Sequence, residues 1–299
     1  MIRGRPMLPK DVAGIFSRFF ISGFFVPTFS TLFVLWLAVS HVMKPVSFRE
    51  ESSQTQILIL GAWAILIGLV LQGMRFRLIR IYEGYPIRDR LLLRPLKWIA
   101  IPLQRLSYWR VKRQGHGEAW RETWLLDRRF PDKAELLPTR FGNAFRAFEN
   151  YPGSRWGLDM IAVWPRIDAL LSPRAQELHW NAYTDLMLFL NLSLGGAAAG
   201  VVLIVNEAID PRLAGVVQSS VLAVPFLLAY FMYRFAIGAA ERLGTERRVA
   251  VDLHRLELYR ALGILQPEER LTLDNERARI GPAVSELLNY GTPIEEAGE

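Results

Sequence analysis

The chain has no cysteine and only four histidines among its 299 residues. Disulfide scaffolds, thiolate metal sites, iron–sulfur clusters and cysteine nucleophiles are thereby excluded. The histidines are His41, His116, His179 and His254, and no two of them stand four residues apart. An HExxH zinc helix, a Walker loop, a GxSxG elbow and a complete GxGxxG turn are all missing. Gly115, His116, Gly117 and Glu118 offer one imidazole and one carboxylate, which is a poor metal or phosphate loop and reads as a flexible turn. Glu149 and Asp159 could meet as paired carboxylates, but any helical region with several acids offers such pairs. The reading is a non-enzyme that needs no cofactor and no metal.

Charge is missing from four long stretches, although 22% of all residues are charged and 51% are hydrophobic. Mean hydropathy is +0.16, so apolar and charged residues must be segregated along the chain. Phe19 to Ser40 is uncharged over 22 residues. At about 1.5 Å per residue, such a helix covers a hydrocarbon core of roughly 30 Å. Ile57 to Met74 is a second uncharged run, Leu186 to Val205 a third, and Val216 to about Tyr233 a fourth. The first run follows a basic N-terminus as a signal peptide would, but its apolar core is too long and no small-residue cleavage site follows. It reads as an anchor.

Basic residues fix the orientation. Arg3, Arg5, Lys10 and Arg18 precede span one, and Arg75, Arg77 and Arg80 follow span two. Of 36 basic residues, only Lys44, Arg49 and Arg212 fall in the two short connections. The expectation is therefore a bacterial inner-membrane protein with both termini in the cytoplasm. Trp180, Tyr183, Tyr230 and Tyr233 suit an aromatic belt at the inner interface. The fold class is all-α, with four transmembrane helices arranged 2+2 and a helical cytoplasmic domain. The expected division is a cytoplasmic N-terminus (1–18), a first hairpin (19–74), a basic helical domain (75–183), a second hairpin (184–237), and a stem and tail (238–299). The hairpins show no internal repeat, which weakens an inverted-repeat transporter.

From Arg75 to Glu122 there are twelve basic residues against four acids. Leu91, Leu92, Leu93, Trp98, Ile99, Ile101, Leu103, Tyr108 and Trp109 are interleaved with them. Pro86, Pro95 and Pro102 are expected to prevent one long helix. The pattern predicts short segments lying along the inner leaflet, with Arg75, Arg77, Arg80, Arg88 and Arg90 attracting anionic headgroups or anions. Nucleic acid is the rival partner for such a patch. A patch tethered to a span meets anionic lipid first, so lipid is favoured and no nucleic acid is expected.

Thr139 is a candidate N-cap, and Phe141, Phe145 and Phe148 recur at helical spacing. Tyr151, Pro152, Gly153 and Ser154 predict a type II turn. A second helix is then expected, presenting Leu158, Ile161 and Trp164 until Pro165 interrupts it, with Arg155 and Asp159 able to pair four apart. LPTRFGN (137–143), the Tyr151–Pro152 pair, RWGLD (155–159), WPR (164–166) and VDLHRLELYRALG (251–263) resemble a group of bacterial multi-pass membrane proteins. The resemblance covers roughly the second half. It implies membership of such a group and brings no activity.

Ser172 followed by Pro173 is a helix start, and no breaker intervenes before Gly195 and Gly196, so this helix should enter span three unbroken. Span four should run on through Ala239 to Leu262. There Val249, Leu253 and Leu256 form one apolar face and Val251, Leu258 and Leu262 nearly the opposite one. That pattern predicts a stem helix sandwiched between neighbours, including neighbouring subunits. Gly263 and Pro267 should end it, and Pro282 to Asn289 should form one more short helix.

The spans carry packing chemistry. Gly196 and Gly200 bracket three alanines, and Gly61 and Gly68 share one face of span two; both are small-residue tracts that let helices approach. Ser22, Thr28, Ser30, Thr31, Asn191, Ser193, Gln218, Ser219 and Ser220 either line a wet path or bond between helices. Pro27 and Pro225 should kink spans one and four. Ionisable residues are missing at mid-membrane depth, which counts against proton-coupled transporters and intramembrane hydrolases. The 2+2 layout is similar in outline to bestrophin-type anion channels, with no motif to transfer. The expected function is a homo-oligomeric channel-like pore for small ions, formed between subunits. The alternative is a membrane-anchored scaffold or signalling protein that binds an unidentified protein through its cytoplasmic helices.

Overall fold

A computed structural model describes residues 17–38, 51–89, 93–114, 126–209, 211, 215–265 and 271–291. Among them the chain is helical throughout, with no strand. Four helices are long and apolar enough to cross a membrane, over Arg18–Leu37, Ser53–Gly73, Pro173–Ile209 and Val221–Ala261. The helices are α1 (Val26–Ala38), α2 (Ser53–Gly73), α3 (Arg75–Glu83), α4 (Tyr85–Asp89), α5 (Arg94–Gln114), α6 (Arg140–Trp156), α7 (Met160–Leu170), α8 (Pro173–Ile209), α9 (Gly215–Ala261) and α10 (Gly281–Tyr290). The chain divides into two compact units: Met1–Ile79 with Tyr183–Gly238, and Arg80–Ala182 with Ala239–Glu299.

In the first unit, α1 is preceded by a helical turn (Arg18–Phe20) and a π-helical turn (Ile21–Phe25). Pro27 has no N–H to give to the carbonyl four residues back, which is that of Gly23. Asn191 Nδ2 on α8 donates to that carbonyl at 2.7 Å. This bond joins α1 to α8, and close approach follows from it. A Cβ on Gly195 would stand 2.1 Å from Thr31 Oγ1. On its other side α8 meets α9, where a Cβ on Gly196 would lie 2.9 Å from the Pro225 carbonyl oxygen and one on Gly200 would lie 2.6 Å from the Phe226 ring. Ser193 Oγ donates to the Ala229 carbonyl at 2.9 Å across the same contact. Gly68 of α2 packs on the turn that precedes α1, where a Cβ would stand 3.3 Å from the Phe20 ring. Gly61 meets nothing within 4 Å among the described residues.

In the second unit, Phe141, Phe145 and Phe148 are buried along α6, with successive ring centroids 5.6 and 4.6 Å apart. Gly244 on α9 packs on Phe148, where a Cβ would come within 2.7 Å of the ring. The turn expected at Tyr151–Ser154 does not form. α6 runs through Pro152 to Trp156 and ends at Gly157, which is left-handed (φ 72°). The reason is tertiary: Tyr151 Oη and Trp156 Nε1 both donate at 2.7 Å to Asp252 on α9, holding the last turn helical. Arg155 therefore belongs to α6, while Asp159 caps α7 through the Ile161 N–H at 2.8 Å, so the two are not partners along one helix. α7 likewise continues through Pro165.

Prolines also fail as breakers earlier in the chain. Pro86 and Pro95 are the second residues of α4 and α5, where a missing N–H costs nothing. Pro102 lies inside α5, which spans 21 residues. The break between α3 and α4 falls instead at Gly84 (φ 87°). Ser172 caps α8 through the Ala175 N–H, α8 runs unbroken to Ile209, and Gly263 (φ 73°) follows the end of α9. Gly281–Tyr290 forms the last short helix, with Pro282 in its first turn. Of the two apolar faces on the later part of α9, the described residues cover one: Val251 and Leu258 are buried, while Val249 and Leu253 are 50% and 68% exposed. Pro267 lies outside the described residues.

Replacing Asn191 by Leu leaves the Gly23 carbonyl without its partner. Interhelical hydrogen bonds in membranes average about 0.6 kcal/mol, and an orphaned acceptor raises the cost. The expected loss is about 1–2 kcal/mol of unfolding free energy in detergent titration. In a Pro27→Ala background the restored N–H reaches Gly23, and the loss should fall by half or more. Equal losses in both backgrounds would show that the bond does not answer the proline.

Candidate functional site

The stretches of unusual sequence fold onto one another in the second unit. In 137–143, Asn143 is fully buried; its Oδ1 accepts from the Leu137 N–H at 2.7 Å and its Nδ2 donates to the Leu137 carbonyl at 3.1 Å. Nδ2 also reaches Gln104 Oε1 on α5 at 3.2 Å. Thr139 Oγ1 accepts from the Gly142 N–H and donates to the Tyr82 carbonyl at 2.6 Å, fastening the end of α3. Gly142 is required by that contact, because a Cβ there would sit 2.4 Å from the Glu83 carbonyl oxygen.

In 251–263, Asp252 takes the Tyr151 and Trp156 donors, and Arg255 lies over the Trp156 ring, its Cζ 3.6 Å from the centroid. Arg255 Nε also meets Glu276 Oε1 at 2.8 Å, an oxygen that accepts from Tyr259 Oη at 3.1 Å. Glu276 is only 2% exposed, so its charge is held by donors rather than by water. Burial and the neighbouring Asp252 push the Tyr151 hydroxyl up to about 12, which keeps it a donor. These motifs therefore do structural work: they pin α6, α9 and the turn leading into α10 together.

Two carboxylates near α3 are different. Glu83 is 5% exposed, and burial, then the nearby Glu149, push its pKa up to about 7 against the pull of Arg80, Arg146 and Arg88. Burial also raises Glu149, opposed by Arg146, whose NH1 stands 3.6 Å away. Asp159 is engaged elsewhere, capping α7 and accepting from Asn289 Nδ2 at 3.1 Å. Among the described residues no group of three His, Asp or Glu could hold a metal ion. His179 is buried against Trp164, with ring centroids 4.6 Å apart, and His254 Nδ1 lies 2.7 Å from Glu257 Oε2. His41 and His116, with the Gly115–Glu118 loop, lie outside the described residues.

Of the expected anion-attracting residues, Arg75 lies over the Phe76 ring and Arg77 is exposed. Arg80 and Arg88 both stack on Tyr85, 5.0 and 4.4 Å from its centroid. Arg90 lies outside the described residues. A basic groove beside α5 uses partners that the sequence reading did not single out. One cavity of about 290 Å³ is lined by Arg88, Lys97, Arg105, Lys133 and Glu135 among others. Another of about 320 Å³ is lined by Arg105, Tyr108, Trp109 and Lys133. Lys133 Nζ sits 4.5 Å from the Trp109 centroid. The signal available in the sequence was the complete lack of acids from Arg94 to Gln114. In the spans, Asn191 and Ser193 bond between helices and Thr31 bonds back to the Pro27 carbonyl, while Ser30 is exposed. The side chains of Gln218, Ser219 and Ser220 lie outside the described set.

Two measurements follow. Asp252→Ala strands the Tyr151 and Trp156 donors and should cost about 2–4 kcal/mol in thermal unfolding, against about 1 for Tyr151→Phe; equal costs would mean that Asp252 is not the shared acceptor. Glu83, with its pKa raised in the folded chain, contributes stability that is full below about 4.5 and lost as pH rises through about 7. The native chain should lose on the order of 2 kcal/mol from this group between pH 5 and pH 8, and Glu83→Gln should abolish that loss. A pH dependence identical in the two proteins would refute the assignment.

No protein-family model, no curated protein and no solved structure matches this chain.

Proposed function

We propose that the chain is a multi-pass protein of the bacterial inner membrane, with its spans in two hairpins and both ends in the cytoplasm, acting as a membrane-anchored scaffold. The observation that carries this reading is the exposed pair Val249 and Leu253 on α9, continued by the half-buried Leu256 and opposite the closed face of Val251 and Leu258. A stripe at helical spacing is satisfied by another helix laid along it, supplied by a second copy of the chain or by a different protein. The polar contacts of the second unit support the same reading, because they lock helices together. Neither an enzymatic activity nor a cofactor is part of the proposal.

A pore for small ions is the second reading, and one observation favours it. Span one presents Val26, Ser30, Val34 and Leu37 outward, placing a hydroxyl in an otherwise apolar stripe. The glycine contacts at Gly195, Gly196 and Gly200 close the chain's own helices on one another. A conducting path would therefore lie between copies, with Arg75 and Arg77 at its mouth.

The absence of cysteine makes both readings directly testable. A single Leu253→Cys variant in native membranes should cross-link on oxidation, to a second copy or to another protein, and Leu253→Glu should weaken the assembly. If Leu253→Cys stays monomeric and freely labelled by a water-soluble maleimide, the scaffold reading fails. Purified protein in liposomes should pass no more ions than empty vesicles; a flux abolished by Ser30→Trp would establish the pore instead.

A further inference from the structure

We propose that α5 is an in-plane membrane helix, whose outward face docks on an anionic lipid surface and holds the second unit against the bilayer. The inference deepens the membrane-anchored reading and rests on it.

The helix has two faces of opposite fate. Val111 is buried in a cluster with Phe130 and Leu136, against which Tyr108 and Leu126 pack. On the other side Leu96, Ile99, Leu103 and Leu106 recur at three- and four-residue spacing and are 48–64% exposed. Trp98, 83% exposed, and Trp109 flank the same sector. Among the described residues nothing covers this face. Exposed apolar side chains at that spacing, with two indoles at the margin, need an apolar environment bounded by a polar one.

Charge selects which one. α5 carries Arg94, Lys97, Arg105, Arg110, Lys112 and Arg113, and not one acid. A protein surface that met this face would have to be acidic around an apolar centre, whereas an anionic leaflet offers both properties everywhere. Nucleic acid fits less well, because its phosphates demand basic groups across the contact, and this face offers Leu96, Ile99, Leu103 and Leu106 with Arg110 alone among them. The sequence supplies proximity: α5 begins about twenty residues after α2, a helix apolar enough to span a membrane, so the encounter with lipid is intramolecular. Pro102 is tolerated because it lies on the exposed side, where headgroups and water can satisfy the carbonyl it leaves open.

The test places a nitroxide on single cysteines in the full chain, reconstituted in phosphatidylcholine vesicles with or without phosphatidylglycerol. Ile99→Cys, Leu103→Cys and Leu106→Cys should be reached by oxygen in preference to a water-soluble nickel chelate. Lys97→Cys, on the opposite side of the helix, should show the reverse. Each basic group near an anionic surface favours docking about five-fold, so phosphatidylglycerol should deepen the three apolar labels and Arg110→Gln with Arg113→Gln should undo the gain. Labels as wet as Lys97→Cys in both vesicles would overturn the proposal. So would depth indifferent to phosphatidylglycerol, binding of duplex DNA that shields these sites, or shielding from both reagents with spin–spin broadening between copies. Glu286→Cys, labelled by an impermeant maleimide from one side only, checks the anchored topology separately; oxygen preference at Leu106→Cys does not depend on its outcome.

Discussion

A carbonyl that has lost its helical donor inside an apolar span has no water to turn to, and the arrangement of the first unit follows from how that is answered. Pro27 creates the vacancy at Gly23, the chain opens into a π-helical turn just before it, and Asn191 fills the vacancy from α8. Once that bond fixes where α8 lies along α1, the residue one turn further along α8, Gly195, falls opposite Thr31, where no side chain fits. Gly196 and Gly200 then point to α9, and the small-residue tract serves two neighbours rather than one. Apolar packing alone would tolerate a slip of these helices along one another. A single buried donor and acceptor would not, because slipping strands both.

The second unit solves the opposite problem. It is rich in charge, and its specificity comes from carboxylates that each collect several donors. Asp252 serves a tyrosine and an indole, while Glu276 serves an arginine and a tyrosine. Buried ion pairs of this kind contribute little net stability, since desolvation offsets the attraction, but a wrong arrangement leaves an unpaired charge. The result is a set of helices with one acceptable register. Glu83 and Glu149 lack such a full set of donors, and so burial prevails there and their protons are held more tightly.

The sequence made the long-range architecture easy to read and the local breaks hard. Four uncharged runs, the Ser172–Pro173 start, the unbroken α8 and the stop at Gly263 were legible because each depends on chemistry carried by a few adjacent residues. Pro95, Pro102, Pro152 and Pro165 misled because a proline's local penalty, about 3 kcal/mol in a helix interior, is context-dependent. A first-turn position removes it for Pro95, and Asp252, nearly a hundred residues away, offsets it for Pro152. The candidate site suffered from the same error. With α5 read as broken pieces, Leu96, Ile99, Leu103 and Leu106 could not be seen as one face, and Lys97, Arg105 and Lys133 could not be seen as one groove. Two apolar faces on α9 were legible; that the chain covers only one of them was not, since this depends on which helices arrive there.

Among the described residues two apolar faces remain uncovered, on α5 and on α9, and their charge supports proposing different kinds of partner for them. The α9 stripe stands among Glu246, Asp252 and Glu257 as well as Arg242, Arg248 and Arg255, a mixture close to neutrality. An anionic leaflet would gain little from such a mixture, whereas another helix with its own mixed charges could match the exposed Glu257 and the neighbouring Arg260. The α5 face has no carboxylate to repel. A protein helix docking there would find six positive charges and would need an unusual excess of acids to answer them. Electrostatics of this kind adds modestly to affinity but strongly to discrimination, because like charges brought together cost several kcal/mol. On the two proposals made above, the same chain would present two exposed hydrophobic surfaces without confusing them, lipid being drawn to the one that lacks acids and protein to the one that has both signs.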